Sequence, residues 1–108
     1  MKNYLSEFIG TSFLLMIVVG SGIMGQNLSN DNSIILLANT VATGSGLIIL
    51  IWMMGPISGA HFNPAVSMIF YFKKQLSGKD FVGYSSSQIL GALCGTLLAN
   101  FMFGLELY

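Results

Sequence analysis

Charge is what this sequence has least of. Only 7% of its 108 residues are charged, against 54% hydrophobic. A soluble domain carries about 25% charged residues, and a chain this short keeps too much of its surface exposed to hide so large an apolar share from water. The solvent for most of the chain is therefore expected to be the lipid bilayer. There is no arginine and the formal net charge is zero, so no basic patch exists and nucleic acid is excluded as a partner. Cysteine is almost absent as well. Cys94 stands alone, which rules out an intrachain disulfide or a cysteine metal cluster and leaves it as a small packing residue. No cofactor and no metal ion are expected.

Against these scarcities stand three apolar segments, at residues 4–25, 34–54 and 81–103. Each is long enough to cross a hydrocarbon core, which takes about 20 residues of helix. The first is too long for the core of a signal peptide, about 7–15 residues, and it contains Glu7, so a retained span is expected. Residues 26–33 form a polar turn. Residues 55–72 fit none of the spans. Gly55 and Pro56 predict a helix break and an irregular segment over 55–63. Residues 64–72 then read as a short apolar helix, with Pro64 at its first position and Asn63 as its cap. Nine residues at 1.5 Å give roughly 13 Å, under half of a ~30 Å core. A stretch this apolar and this short predicts a segment that dips into the membrane and returns. The fold class expected is all-α and transmembrane, with three spanning helices and a re-entrant half-helix in one membrane domain over residues 1–108.

The lysines support that topology independently. Lys2 precedes the first span, and Lys73, Lys74 and Lys79 follow the short helix. A dip that enters and leaves on one face puts all four on one side, with Asp31 and Glu106 on the other. The positive-inside rule then makes the N-terminus cytoplasmic and the C-terminus external. Small residues four apart, at Ala38, Ala42 and Gly46 and at Ser87, Gly91, Gly95 and Ala99, predict close helix packing.

Irregular backbone at lipid depth is tolerated only where it is buried in protein or lines a watery cavity. The segment before Asn63 therefore implies a cavity. Gly59 and Ala60 leave their carbonyls unshielded as acceptors. Asn63, at the positive end of a short helix, can point an amide donor into the same space, and such half-helix ends disfavour cations in a pore. Glu7 lies within a membrane helix, which is costly unless it is partnered or hydrated; the alternative places it at the interface. His61 has no second ligand or nucleophile beside it and reads as loop support or pore lining. No Ser–His or paired-carboxylate arrangement supports an enzyme.

The run Ser58-Gly59-Ala60-His61-Phe62-Asn63-Pro64-Ala65-Val66-Ser67 resembles the first signature loop of the major intrinsic protein family, the aquaporins and aquaglyceroporins. Asn63-Pro64-Ala65 matches that family's Asn-Pro-Ala motif. Glu7-Phe8-Ile9-Gly10-Thr11 resembles its first-helix motif, and Gly83-Tyr84, Gln88 and Gly91-Ala92 its third-helix pattern. The resemblance covers essentially the whole chain. It implies a passive, narrow pore in the cell membrane for water or small neutral solutes, with Asn63 as the mid-membrane donor. It makes the carbonyls of Gly59, Ala60 and His61 an entrance ladder, and Glu7 and Gln88 buried braces. It also implies a homotetramer when the channel is complete. The filter position on the second helix corresponds to Thr43, twenty residues before Asn63. Family members usually carry an aromatic there, so Thr43 implies a wider filter, as in bacterial aquaglyceroporin-like members, some of them associated with metalloid resistance.

The family builds its pore from two inverted repeats. This sequence holds one, without the second Asn-Pro-Ala or the filter Arg. One half-helix cannot close a pore, so a second repeat is expected to complete it, the chain being a fragment of a longer channel. Inverted pairing of two copies is the alternative, which the one-sided lysines disfavour. A small transporter of paired subunits is a further rival; it would need a charged coupling residue, for which Glu7 is the candidate.

Overall fold

Four helices account for nearly all of residues 1–104, the part described by the computed structural model. They are α1 (Lys2–Leu28), α2 (Asn32–Ser58), α3 (Pro64–Phe72) and α4 (Gly78–Met102). Helices α1, α2 and α4 are long and apolar enough to cross a membrane. Glu106, assigned above to the external side, lies outside the described residues.

The turn between α1 and α2 is short and self-capped. The Asp31 carboxylate accepts from Ser33 N at 2.8 Å, and the Ser29 hydroxyl accepts from Asp31 N at 3.0 Å. The two helices leave this turn antiparallel and close together, because Gly25 is buried against Ile35, where a Cβ would find Ile35 Cγ2 at 3.3 Å.

Helix α2 does not break where Gly55 and Pro56 predicted. It continues through Pro56 to Ser58. Proline removes one helical hydrogen bond and crowds the carbonyl four residues earlier, yet it is tolerated in membrane-type helices where local adjustments and neighbours satisfy the freed groups. The stop comes at Gly59, which takes the left-handed φ of 91° and donates its N–H to Gly55 O at 2.9 Å. A left-handed glycine of this kind is a common helix terminator. The irregular segment is thereby only 59–63, shorter than the 55–63 read from the sequence.

Helix α1 is central, with α4 along one side and α2 along another, while α3 lies on α4. The α1–α4 seam is made by a buried stripe of Tyr84, Gln88, Gly91, Gly95 and Ala99. A Cβ on Gly91 would lie 2.5 Å from Phe8 O, and one on Gly95 would collide with Ser12 O. The two backbones approach as closely as small residues permit. The corresponding stripe on α2 is used differently. Gly46 receives the Ile17 side chain, but Ala38 is exposed.

The start of α1, the end of α2 and the start of α4 share one end of the bundle. Ser6 and Ser58 hydroxyls lie 3.2 Å apart, and Tyr4 Oη donates to Asp80 Oδ1 at 2.7 Å. Helix α3 runs back toward that end antiparallel to α4. Ser67 meets Gln88 near its beginning, and Tyr71 stacks on Phe81 at 5.2 Å near its end. Lys2, Lys73, Lys74 and Lys79 therefore collect at this end and Asp31 at the opposite one.

Candidate functional site: a re-entrant loop tied to one carboxylate

The loop 59–63 is held by Glu7, which is completely buried. Its Oε1 accepts from Phe62 N at 2.8 Å and from Gln88 Nε2 at 2.7 Å. Its Oε2 accepts from Ser58 Oγ at 2.6 Å and from His61 N at 3.1 Å. Four donors fill the roughly four acceptor sites of a carboxylate. The side chain is closed in by the loop and α4. Tyr84 Oη adds a bond to Ser58 O at 2.7 Å, and the Ser58 hydroxyl accepts from Ala60 N at 3.3 Å.

These bonds bend the backbone. Ala60 and Phe62 sit at φ of 53° and 55°. A non-glycine residue in this left-handed region costs roughly 1–2 kcal/mol. Hydrogen bonds to a charged group contribute about 1.5–3 kcal/mol each, so the bonds to Glu7 outweigh the strain. The Phe62 ring then fills the space over Gly10, where a Cβ would collide with it and would stand 2.8 Å from Met54 Sδ. Ala60 and Phe62 form a small core with Leu50, flanked by Leu14, Ile17, Leu47 and Met54.

The N–H groups of Ala60, His61 and Phe62 are all turned into the protein, onto Ser58 and Glu7. Among the described residues, no hydrogen bond ends on the carbonyls of Gly59, Ala60 or His61. The loop's donors are thus satisfied within the chain, and these three acceptors are not. At its end Asn63 caps α3, its Oδ1 accepting from Ala65 N at 2.8 Å. With the oxygen committed, the Nδ2 donors of the amide make no hydrogen bond among the described residues. Asn63, Pro64 and Ala65 are all exposed on the open side of the chain, and the N-terminal dipole of α3 adds positive potential there.

His61 is half-buried and fixed on three sides. Nδ1 is 2.9 Å from Ser67 Oγ, the ring stacks on Phe70 at 4.5 Å, and Tyr84 tilts against it at 5.0 Å. Gln88 joins this group to the carboxylate, because its Nε2 also donates to Ser67 Oγ at 3.0 Å. Thr43 stands apart. It is half-buried on α2, and its hydroxyl donates to Asn39 Oδ1 at 3.2 Å. The structure brings Glu7, Gln88, His61 and the loop together and leaves Thr43 outside their hydrogen-bond network. No group of three or more metal-binding side chains occurs among the described residues.

Sequence reasoning gave no role to Ser58, Ser67 or Tyr84, nor to Phe62 and Gly10 as a fitted pair. Their contacts span 26 to 55 positions in several cases, beyond any local periodicity. Gly10 one turn from Glu7 was the available signal for a close approach on α1.

Comparison with known proteins decides the family. The profile of the major intrinsic protein family matches residues 1–106. The chain belongs to the major intrinsic protein family. Its similarity to individual members is of the same kind. It is 48% identical over 104 residues to the aquaglyceroporin AqpS of Rhizobium meliloti, covering 96% of this chain and 45% of that protein. It is 36% identical to a probable glycerol uptake facilitator protein of Thermotoga maritima, covering 91% of this chain and 42% of the relative. It is 32% identical to aquaporin NIP1-1 of Arabidopsis thaliana, with 98% and 35% covered. This major intrinsic protein chain thus spans less than half the length of the relatives it matches. Those relatives bear the names of channels and facilitators, not of enzymes.

Proposed function

We propose that the chain forms one half of a passive membrane pore for water and small neutral solutes, with glycerol-like molecules and uncharged metalloid acids in range. The observation that carries this reading is the loop's uneven hydrogen bonding. Its N–H groups are bound to Glu7 and Ser58, while among the described residues the carbonyls of Gly59, Ala60 and His61 and the amide nitrogen of the exposed Asn63 have no hydrogen-bond partner. A backbone of this form at membrane depth belongs beside a watery cavity. Donors and acceptors without a reacting group suit permeation. Asn63 supplies the donor, the carbonyls of Gly59, Ala60 and His61 an acceptor row, and Thr43 part of the constriction. A second repeat supplies the opposite wall, and the complete channel is a homotetramer. The pore lies in the cell membrane with the lysine end cytoplasmic.

Two measurements test this. With Cys94 replaced, cysteines introduced at Ser33 and Gln75 are expected to label from opposite faces of the membrane; labelling from one face overturns the topology. In liposomes holding the chain together with a second repeat, Asn63→Ala and Asn63→Asp are expected to reduce solute flux or ion exclusion at unchanged protein content. Unaltered water flux and unaltered ion exclusion in both variants remove Asn63 from the pore. The 108 residues alone are expected to give background permeability; robust flux from them dispenses with the second repeat.

A further inference from the structure

The hydroxyl of Thr43 has a fixed polarity, set by a residue that no motif singles out. Asn39 Nδ2 donates to Val18 O at 3.1 Å, an oxygen that also receives the Ser21 hydroxyl at 3.3 Å. A backbone carbonyl can only accept, so the amide nitrogen of Asn39 must be the atom facing α1. That leaves Asn39 Oδ1 toward Thr43 Oγ1 at 3.2 Å. The amide oxygen cannot donate, so Thr43 must, and a threonine hydroxyl has a single proton to give. Only its lone pairs remain for anything else. Gly22 leaves room for this arrangement, because a Cβ there would be 3.1 Å from Asn39 Nδ2.

The place of the pair in the fold gives that polarity a use. Thr43 is four residues before Leu47, on the stripe of α2 that continues through Leu50 and Met54 and packs on the loop residues Ala60 and Phe62. Thr43 therefore lies on the face of α2 that meets the loop, seven residues or about two helical turns before Leu50, and is half-buried. We propose that Asn39 is a positioning residue that holds the Thr43 hydroxyl as a hydrogen-bond acceptor toward the pore, so that this half of the filter favours neutral solutes rich in O–H or N–H donors. The proposal rests on the reading of Thr43 as a pore-lining residue. A polyol or urea finds a lone pair that replaces part of its lost hydration. A solute that only accepts finds lone pair against lone pair and gains nothing at this level.

The test uses liposomes holding the full chain with a second repeat, and compares fluxes of water, urea and dimethyl sulfoxide, the last an acceptor without O–H or N–H. Thr43→Val removes the acceptor at nearly constant size and is expected to lower the urea-to-water ratio by about two- to tenfold, the range for loss of one net hydrogen bond. Dimethyl sulfoxide flux is expected to hold. Asn39→Leu is expected to lower urea in the same direction, and the double variant to be no lower than Thr43→Val alone. If Thr43→Val lowers the urea ratio and Asn39→Leu leaves it unchanged, the positioning role is overturned while the pore reading stands. If Thr43→Val and Thr43→Phe both leave every flux unaltered, Thr43 does not line the pore, and both readings fall. A second measurement needs no second repeat. In the isotope-labelled chain in lipid nanodiscs, the Asn39 side-chain amide resonance is expected to move in Thr43→Val, and one of its protons to exchange slowly with water. An unmoved resonance overturns the Asn39–Thr43 contact itself.

Discussion

Helix α1 has two long neighbours, and they are attached by different physics. Against α4 it presents backbone to backbone. Gly91 and Gly95 sit on the carbonyls of Phe8 and Ser12, and five residues of α4 are buried along the seam. Against α2 the contact is looser. Only Leu50 and Ser58 of α2 are buried, while Leu36 and Trp52 are 67% and 82% exposed. Apolar exposure is no penalty in lipid, where helices associate through close packing and hydrogen bonds rather than through a hydrophobic drive. The α1–α4 seam is therefore finished within the chain. Helix α2 is held at its ends and by single side chains, and the region it borders depends on polar ties. One consequence is that the loop should respond to loss of hydrogen bonds and the seam to loss of space.

The largest expected effect removes the tie itself. In Glu7→Ala, Phe62 N, His61 N and Gln88 Nε2 lose their shared acceptor, and an unsatisfied buried group costs about 1–3 kcal/mol each. Hydrogen exchange at the 61 and 62 amides is expected to accelerate by a hundredfold or more, while amides in the middle of α1 and α4 keep their protection. Loop amides that stay protected would falsify the division between a tied loop and a packed seam. Next comes Gly95→Val, which forces side-chain atoms onto Ser12 O. A loss of about 1–3 kcal/mol is expected from overpacking, read as a lower unfolding midpoint in detergent; an unchanged midpoint means the seam has slack that the geometry does not reveal.

A smaller change sharpens the same contrast on the loop side. Tyr84→Phe removes only the donor to Ser58 O, and a loss of about 1 kcal/mol is expected. The loss should appear as faster exchange near Gly59 rather than as separation of α1 from α4. If the change instead lowers the global midpoint as much as Gly95→Val does, the hydroxyl belongs to the seam. At the bottom of the scale stands Ala38→Val, on the exposed face of α2. Its expected effect in the isolated chain is within about 0.5 kcal/mol, and a larger destabilisation shows that this face is packed after all.

Much of this architecture was legible because it is written in lengths. Three apolar runs and one short segment behind Asn63 are local features, and helix geometry converts them to distances without knowledge of the fold. The caps were local too: Asn63 and Pro64 start α3 as their chemistry requires. The reading went astray at Gly55-Pro56, because propensity learned in water overstates what a proline does to a helix in lipid, and the true terminator was the left-handed Gly59. The site was only partly legible for another reason. The resemblance singled out Glu7 and Gln88, but the Ser67, Tyr84 and Ser58 contacts and the fit of Phe62 over Gly10 join distant positions. Such contacts leave no period or spacing in the sequence.

The distance along the chain between Glu7 and its partners also sets a timetable for synthesis. Glu7 precedes Phe62 by 55 residues and Gln88 by 81. At about 5–20 residues per second on the ribosome, roughly 4–16 s separate the appearance of the carboxylate from that of the amide that completes its shell. For the first 55 residues of that stretch α1 carries an acid with neither loop nor α4 to receive it, and for the remaining 26 it has the loop alone. Its set of partners is then completed only by the arrival of α4, and not by the hydrophobicity of α1. The insertion machinery, or water at the membrane surface, must keep the carboxylate solvated until then.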